Sequence, residues 1–262
     1  MKLTFLGTCA GTEPMPGRMH SSFVIERKGS LFWFDAGEGC SRTAHLLGID
    51  ALQTRAIFLT HRHIDHTGGL PLLVSTIRKL NDVAGQDPPP FTDKHVDLFC
   101  PEPNIWEATK FYLKDYKGGE ILEHFEHKLP SDGVVFDEDG FRVIASRNYH
   151  LGEPEPGQPW PSFSYRIEAD GKSVVYSGDI AAPEDVSPIV EGADLVLMET
   201  GHHTVEAIAE YMRDSVGSFG KLSYTHHGRA VLADPVGEFA KAQAILGADR
   251  AFLAEDEMSI DI

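Results

Sequence analysis

Nowhere in these 262 residues do eighteen apolar residues follow one another, which excludes a conventional membrane-spanning helix. Cysteine is scarce. Cys9, Cys40 and Cys100 are odd in number and widely spaced, so neither a disulfide framework nor a zinc ribbon is expected, and buried reduced thiols are the default. Positive charge is short as well: 23 basic residues against 40 acidic ones give a formal net charge of −17. A polyanion is gripped chiefly through Lys and Arg, so this balance disfavours long nucleic acids as ligands unless metal ions and a local basic patch offset the field. The segment Met1–Gly7 is too short an apolar stretch for a signal peptide and runs straight into a Gly/Pro loop, so a cytoplasmic location is expected. What the chain does have is ordinary globular composition, 42% hydrophobic and 24% charged, and enough length for a sizeable core. A single domain spanning residues 1–262 is expected.

The most informative stretch is Thr60-His61-Arg62-His63-Ile64-Asp65-His66-Thr67-Gly68-Gly69-Leu70. It follows the apolar run Ala56-Ile57-Phe58-Leu59 and precedes a helix-periodic one, so it reads as a strand end, a tight loop and a helix start. Extended backbone repeats its side-chain direction every second residue, which puts His61 and His63 on one face. Asp65 and His66 then turn over the helix entrance. This H-x-H-x-D-H spacing can serve two neighbouring metal ions, with an imidazole pair for one and a carboxylate with an imidazole for the other.

Patterning places a first strand at 2–6, a glycine-rich loop over 7–14, a hairpin of 22–26 and 31–35, and a helix near 40–48. The loop can cradle an anion through its amides, or be only a turn. The glycines of Asp35-Ala36-Gly37-Glu38-Gly39 suggest backbone in close approach to another strand or to the metal loop. A helix from about 65 to 80 follows, then a Gly/Pro linker over 81–90, a strand at 95–100 and a helix at 102–116. Its Trp106, Phe111, Tyr112 and Tyr116 suit core or dimer contact. Strands are expected at 121–127, 133–136, 141–149, 162–168 and 173–178, with His124 and His127 on the surface. A short helix at 184–191, a strand at 193–199, a helix at 204–216, a strand at 221–225, a helix at 235–247 and a last strand at 250–254 complete the chain. Each half carries strands in series closed by helical crossovers. This predicts an α/β (α+β) fold, a four-layer αββα sandwich of two mixed β-sheets with helices outside.

Two metal ions need ligands from more than one loop, and three residues sit where strands end: His150 after 141–149, Asp179 after 173–178 and His226 after 221–225. Together they complete two sites. His61, His63 and His150 would hold one ion and Asp65, His66 and His226 the other, with Asp179 bridging. Such N/O shells suit two divalent ions, Zn²⁺ foremost, and tolerate Mn²⁺ or Fe²⁺.

With these residues in place the chain resembles the metallo-β-lactamase superfamily, and within it the ribonuclease Z and related phosphodiesterase branch. The likeness rests on Phe5-Leu6-Gly7-Thr8, the segment 18–22, Phe34-Asp35-Ala36-Gly37-Glu38-Gly39, the segment 59–66, Ser162-Phe163-Ser164-Tyr165-Arg166-Ile167, Tyr176-Ser177-Gly178-Asp179 and Thr225-His226. It implies the αββα fold and hydrolysis by a hydroxide held between two metal ions, with Asp65 as proton acceptor. It also implies a late strand-end glutamate and a following histidine that assist proton transfer to the leaving group. Glu199 matches the first, and His202 or His203 the second. His202 is preferred because His202-His203-Thr204 then aligns with the family's His-Ser-Thr, and His226 is preferred over His227 because it directly follows the strand-end threonine. The same resemblance implies a homodimer.

The chain departs from the tRNA-processing members in one respect. Many of those carry a long Gly/Pro-rich arm that grips the tRNA, whereas here only residues 151–178 separate His150 from Asp179, and the acidic, Pro-rich segment 151–157 would repel RNA. The expected substrate is therefore a small phosphodiester or nucleotide, with extended tRNA binding disfavoured. The alternatives are a ribonuclease Z-like endoribonuclease, a thioester or lactone hydrolase on the same ligands, and a non-catalytic metal-binding protein.

Overall fold

The computed structural model describes all 262 residues, and the alternating and β-branched segments form two seven-stranded sheets. In chain order the first sheet holds β1 (Lys2–Gly7), β2 (Ser22–Arg27), β3 (Ser30–Phe34), β4 (Thr54–Phe58), β5 (Val96–Phe99) and β6 (Phe125–Lys128). The second holds β7 (Gly133–Glu138), β8 (Phe141–Arg147), β9 (Phe163–Ala169), β10 (Lys172–Tyr176), β11 (Ala193–Thr200), β12 (Phe219–His227) and β13 (Ala251–Leu253). A last strand, β14 (Ser259–Asp261), returns to the first sheet and pairs with β1. Both sheets are mixed. Strands β1 to β3 are antiparallel and β3 to β6 parallel, while β7 to β10 are antiparallel and β10 to β13 parallel.

The helices are α1 (Cys40–Leu46), α2 (Ile64–Thr67), α3 (Leu70–Val83), α4 (Pro103–Leu113), α5 (Ser187–Val190), α6 (Val205–Asp214), α7 (Arg229–Ala233) and α8 (Pro235–Leu246). Three apolar layers separate four structural ones. Leu70, Leu73, Val74 and Ile77 of α3 pack with Trp33, Ile57 and Leu98 on one outer face, and Val205, Ile208 and Met212 of α6 pack with Val196 and Leu222 on the other. Between the sheets lies an aromatic-rich layer. Phe23, Phe34, Phe58 and Phe99 are register partners on β2, β3, β4 and β5, and their rings stack at 4.9 Å, the spacing of neighbouring strands. Each such pair contributes about 0.5–1.5 kcal/mol beyond its area burial, so this row fixes the register that sets where β3 and β4 end. The expected αββα sandwich is the observed one.

Several local expectations need correction. The helix expected from 65 to 80 is two helices, because the Gly69 amide donates to Ala36 O rather than continuing the helical ladder. The strand expected at 121–127 begins only at Phe125. Gly118, in the left-handed region at φ 79, starts a 3₁₀ turn over Gly119–His124 that drops Ile121 into the core. His124 and His127 are half-buried rather than on the surface, each with a ring nitrogen 2.9 Å from a main-chain carbonyl, those of Lys94 and Cys100. The strand expected to reach residue 149 stops at Arg147, so His150 sits in the turn beyond. Two short elements, α7 and β14, went unexpected, being too short to show a period. Trp106 is core, while Phe111, Tyr112 and Tyr116 are exposed. All three cysteines are free and buried, and no helix is long and apolar enough to cross a membrane.

Candidate metal centre

The parallel strands of both sheets end at one rim, and the polar residues that follow them converge there, as open α/β sheets place their ligand sites. Beyond β4, Thr60 and His61 leave the apolar row; α2 then presents Asp65 and His66. From the second sheet come Asp179 beyond β10, Glu199 near the end of β11 and His226 near the end of β12. Two of these carry special backbone. Gly178 has φ +56, and a Cβ there would come within 2.8 Å of the Thr60 side chain, so glycine is what lets β10 approach the β4 end. His226 takes φ 49 beside the register shift between β11 and β12, which aims its ring away from the strand's regular alternation.

The convergence forms two groups joined by one carboxylate. Asp179 Oδ2 lies 3.6 Å from His61 Nε2 and 3.6 Å from His150 Nε2, and His150 Nε2 is 3.2 Å from His63 Nδ1. Asp179 Oδ1 lies 3.1 Å from His66 Nε2 and 3.2 Å from His226 Nε2, and the latter is 3.1 Å from Asp65 Oδ2. The ligand atoms of His61, His63, His150 and Asp179 all lie within 4.8 Å of one another, as do those of Asp65, His66, Asp179 and His226, so each set could hold a metal ion. An internal test of fit is hydrogen bonding. His61 Nε2, His66 Nε2 and Asp179 Oδ1 are buried without a hydrogen-bond partner; His61 belongs to the first group, His66 to the second and Asp179 to both, and orphaned buried polar atoms of this kind fit a cation in each group. Burial pushes the His61 imidazole well below its ordinary value, leaving a neutral ring with a free lone pair. Burial works to raise Asp179, but the imidazoles of His226 and His66 outweigh it and hold the carboxyl well below the usual range.

Behind the cluster stands Asp35, fully buried and itself at φ 56. Its carboxylate accepts from the Thr60 amide at 2.7 Å, the Thr60 hydroxyl at 2.9 Å and the Tyr176 hydroxyl at 2.8 Å, and faces His66 Nδ1 at 2.7 Å. It fixes the His66 ring so that Nε2 points into the cluster, the outer partner that metal-ligating histidines commonly have. The sequence places Asp35 at the end of a hairpin strand and within the family resemblance, without this role. A buried strand-end aspartate after an apolar run was the available signal.

On the open side, Glu199 accepts from the His202 amide at 2.8 Å, and its Oε1 is 3.0 Å from His202 Nδ1. Glu199 raises the His202 imidazole above its ordinary value, and although burial alone would raise Glu199, its hydrogen bonds with His202 and His226 lower it to about 2. His203 turns away to Ile180 O at 3.0 Å, and His227 to Ala254 O at 2.8 Å. Of each ambiguous pair, His202 and His226 are thus the members brought to the cluster. Thr204 caps α6 through Ala207 N.

A cleft of about 690 Å³ opens over the group, with Ala10, Gly11, Thr12, His63, Asp65, Asp179, His202 and His226 among its walls. Most amides of the glycine-rich loop are already used within the protein, while those of Gly11 and Glu13 have no partner there. The amides of Thr8, Cys9, Ala10 and Thr12 are committed to Asp256, Met19 O, His227 O and Ala10 O. Its glycine serves contact as well: a Cβ on Gly11 would lie 3.0 Å from Asp65 Oδ2. Gly37 plays the matching part, since a Cβ there would meet Asp65 O at 2.5 Å, so of the two glycines in Asp35–Gly39 it is Gly37 that approaches the metal loop, while a Cβ on Gly39 would meet the Met19 side chain.

Comparison with known proteins agrees with this geometry. The family model described as the Beta-lactamase superfamily domain matches residues 32–254. A protein named ribonuclease Z from Methanothermobacter thermautotrophicus is 25% identical, covering 100% of this chain and 97% of its own length. That alignment runs over 319 positions against 262 residues here, so the relative carries segments that this chain lacks. Among solved structures, the metallo-beta-lactamase fold protein YhfI from Bacillus subtilis superposes with a TM-score of 0.75 at 18% identity, covering 99% of this chain and 98% of that one. The short form of human tRNase Z superposes with a TM-score of 0.71 at 22% identity, covering 100% and 99%. At those identities the structural likenesses speak to the fold.

Proposed function

This chain belongs to the β-lactamase superfamily, and from that membership we propose a two-metal hydrolase that cleaves a small phosphodiester. The observation that carries the reading is Asp179, which divides its two oxygens between the His61/His150 pair and the His66/His226 pair. His61, His63 and His150 would hold one divalent ion and Asp65, His66 and His226 the other, with Asp179 shared; the nitrogen-rich, sulfur-free donor set favours Zn²⁺. Ions bound there would supply Lewis acidity toward a phosphoryl oxygen and a nucleophile at neutral pH.

The chain's own groups do the rest. Asp65 keeps its Oδ2 against His226 and His66, which leaves Oδ1 to accept the proton of an attacking water. His202 has Nδ1 tied to Glu199, so Nε2 is the atom that hands a proton to the departing oxygen. The buried Glu199 holds that ring in one orientation. Asp35, through His66 Nδ1, keeps the second imidazole aligned.

Wild-type protein is expected to carry two equivalents of metal by mass spectrometry and to hydrolyse bis(p-nitrophenyl) phosphate, with no comparable turnover of a thioester or a lactone. Asp65→Ala and His63→Ala should each abolish turnover while leaving the circular dichroism spectrum unchanged. Wild-type rates in either variant would defeat the proposal, and metal without turnover on any substrate would favour a binding protein. Chelation followed by add-back of Zn²⁺ or Mn²⁺ identifies the productive ion.

A second reading, endonucleolytic cleavage of RNA, is supported by the names of the curated relatives. Against it, residues 151–178 form a loop and the strands β9 and β10 with no room for an arm. Cleavage of a precursor tRNA at a rate exceeding that on a dinucleotide would decide for RNA.

A further inference from the structure

Nineteen residues line the cleft above the candidate metal centre, and Arg229 is the one arginine or lysine among them. It follows His226 by three residues, at the start of α7. Its Nη1 lies 2.7 Å from the carboxylate of Glu13. Glu13 belongs to the loop whose Ala10, Gly11 and Thr12 also line the cleft, so the pair joins two segments of the cleft lining at its exposed edge. Both side chains are largely exposed, at 66% and 58%.

Water solvates two such ions nearly as well apart as together, so a pair of this kind opens at little cost. A carboxylate held by a guanidinium also occupies the position that a phosphate oxygen takes in a charge-assisted pair. Glu13 is thus a tethered anion at a place where a substrate anion fits. The number of cations limits what that anion can be. A polynucleotide needs Lys and Arg along its track, and this wall has one fixed cation in a molecule of net charge −17. One guanidinium answers one extra phosphate.

We infer that Arg229 determines specificity by binding a second, terminal phosphate of the substrate in place of Glu13, so that the preferred substrate is a short phosphodiester carrying one further phosphate. This rests on the phosphodiesterase reading above and adds to it a recognition site outside the metal ligands. Binding exchanges one ion pair for another, Glu13 swings into solvent, and no bond is made or broken at Arg229.

The test compares dithymidylate with and without a 5′-phosphate. The ratio of kcat/KM for the phosphorylated over the unphosphorylated dinucleotide should be about tenfold in wild type, as expected for one charge-assisted pair. It should fall close to unity in Arg229→Ala and rise in Glu13→Gln, which removes the competitor. In parallel, equilibrium binding of thymidine 3′,5′-bisphosphate is set against thymidine 5′-monophosphate, and the preference for the bisphosphate should vanish in Arg229→Ala. An unchanged ratio and an unchanged binding preference in Arg229→Ala would overturn the inference. If wild type cleaves neither dinucleotide but the bisphosphate preference still depends on Arg229, the hydrolase reading fails and the anion site stands.

Discussion

Asp35→Asn separates charge from shape at the centre of this molecule. The position lies at φ 56, a conformation that asparagine tolerates nearly as well as aspartate, so the backbone should hold while the charge behind His66 is lost. Metal affinity is expected to fall by roughly 10–100-fold, the usual cost of losing an outer partner, read by competition with a chromogenic chelator. Undiminished affinity would show that Asp35 serves the fold alone. Far from the cleft, Asp97 offers a test by pH. Burial works to raise its carboxyl, but Lys128 at 2.6 Å and Arg55 at 2.9 Å more than offset that and hold it below the ordinary value. A carboxyl lowered in the folded state stabilises fully above its unfolded value near 3.9 and loses that contribution as pH falls through the folded one. Asp97→Asn should therefore cost about 1–3 kcal/mol at pH 7, and the gap in urea midpoint between variant and wild type should narrow below about pH 4. A gap that stays constant from pH 7 to pH 3 would contradict the ion-pair account.

The element that places the metal loop is the junction of α2 and α3. Gly69 gives its amide to Ala36 O at 2.7 Å, and a Cβ added there would lie 2.9 Å from that same oxygen and closer still to Gly37 O. Backbone on both sides leaves nothing flexible to move aside. Gly69→Ala should destabilise by about 1–3 kcal/mol, and because the strain falls between the Asp35–Gly39 turn and Asp65, metal binding should weaken with it. A thermal melt and a metal titration on the same sample check both, and a melting point equal to wild type would show that the turn yields. The C-terminal segment acts on the same region from the other side. Asp256 accepts from the Thr8 amide and hydroxyl and from the Met19 amide, so it ties down both ends of the loop that carries Ala10 and Gly11.

For the molecule as a whole, stability and metal occupancy should be linked, since His61 Nε2, His66 Nε2 and Asp179 Oδ1 are buried without a hydrogen-bond partner inside the two candidate ligand groups. A ligand present at a thousand times its dissociation constant stabilises by about 4 kcal/mol, so chelation should lower the melting temperature measurably and add-back should restore it. The exposed Phe111, Tyr112 and Tyr116 around α4 leave an aromatic surface. Sedimentation should find a dimer that Phe111→Asp weakens if that surface carries the homodimer proposed on resemblance, and a monomeric wild type would remove the idea.

The chain's own order was enough for the layers and for the candidate ligands. Period-2 and period-3.6 patterns are local, and the H-x-H-x-D-H run lies within a single strand-to-helix turn, so His61, His63, Asp65 and His66 could be read without knowing what packs against them. That Asp179 and His226 lie near strand ends was legible for the same reason, whereas His150 proved to sit in the turn beyond β8. Tertiary structure alone decided what depends on distance between remote segments: that Asp179 faces both imidazole groups with different oxygens, that His203 and His227 turn to carbonyls while His202 and His226 turn to the cluster, and that Asp35 stands behind His66. It also decided the negative cases, the amides of Thr8, Cys9, Ala10 and Thr12 already spent within the protein and the helix broken at Gly69. A side chain's partners are set by the packing of sheet on sheet. No local pattern encodes that packing, because it comes from the register of the aromatic row between the two sheets.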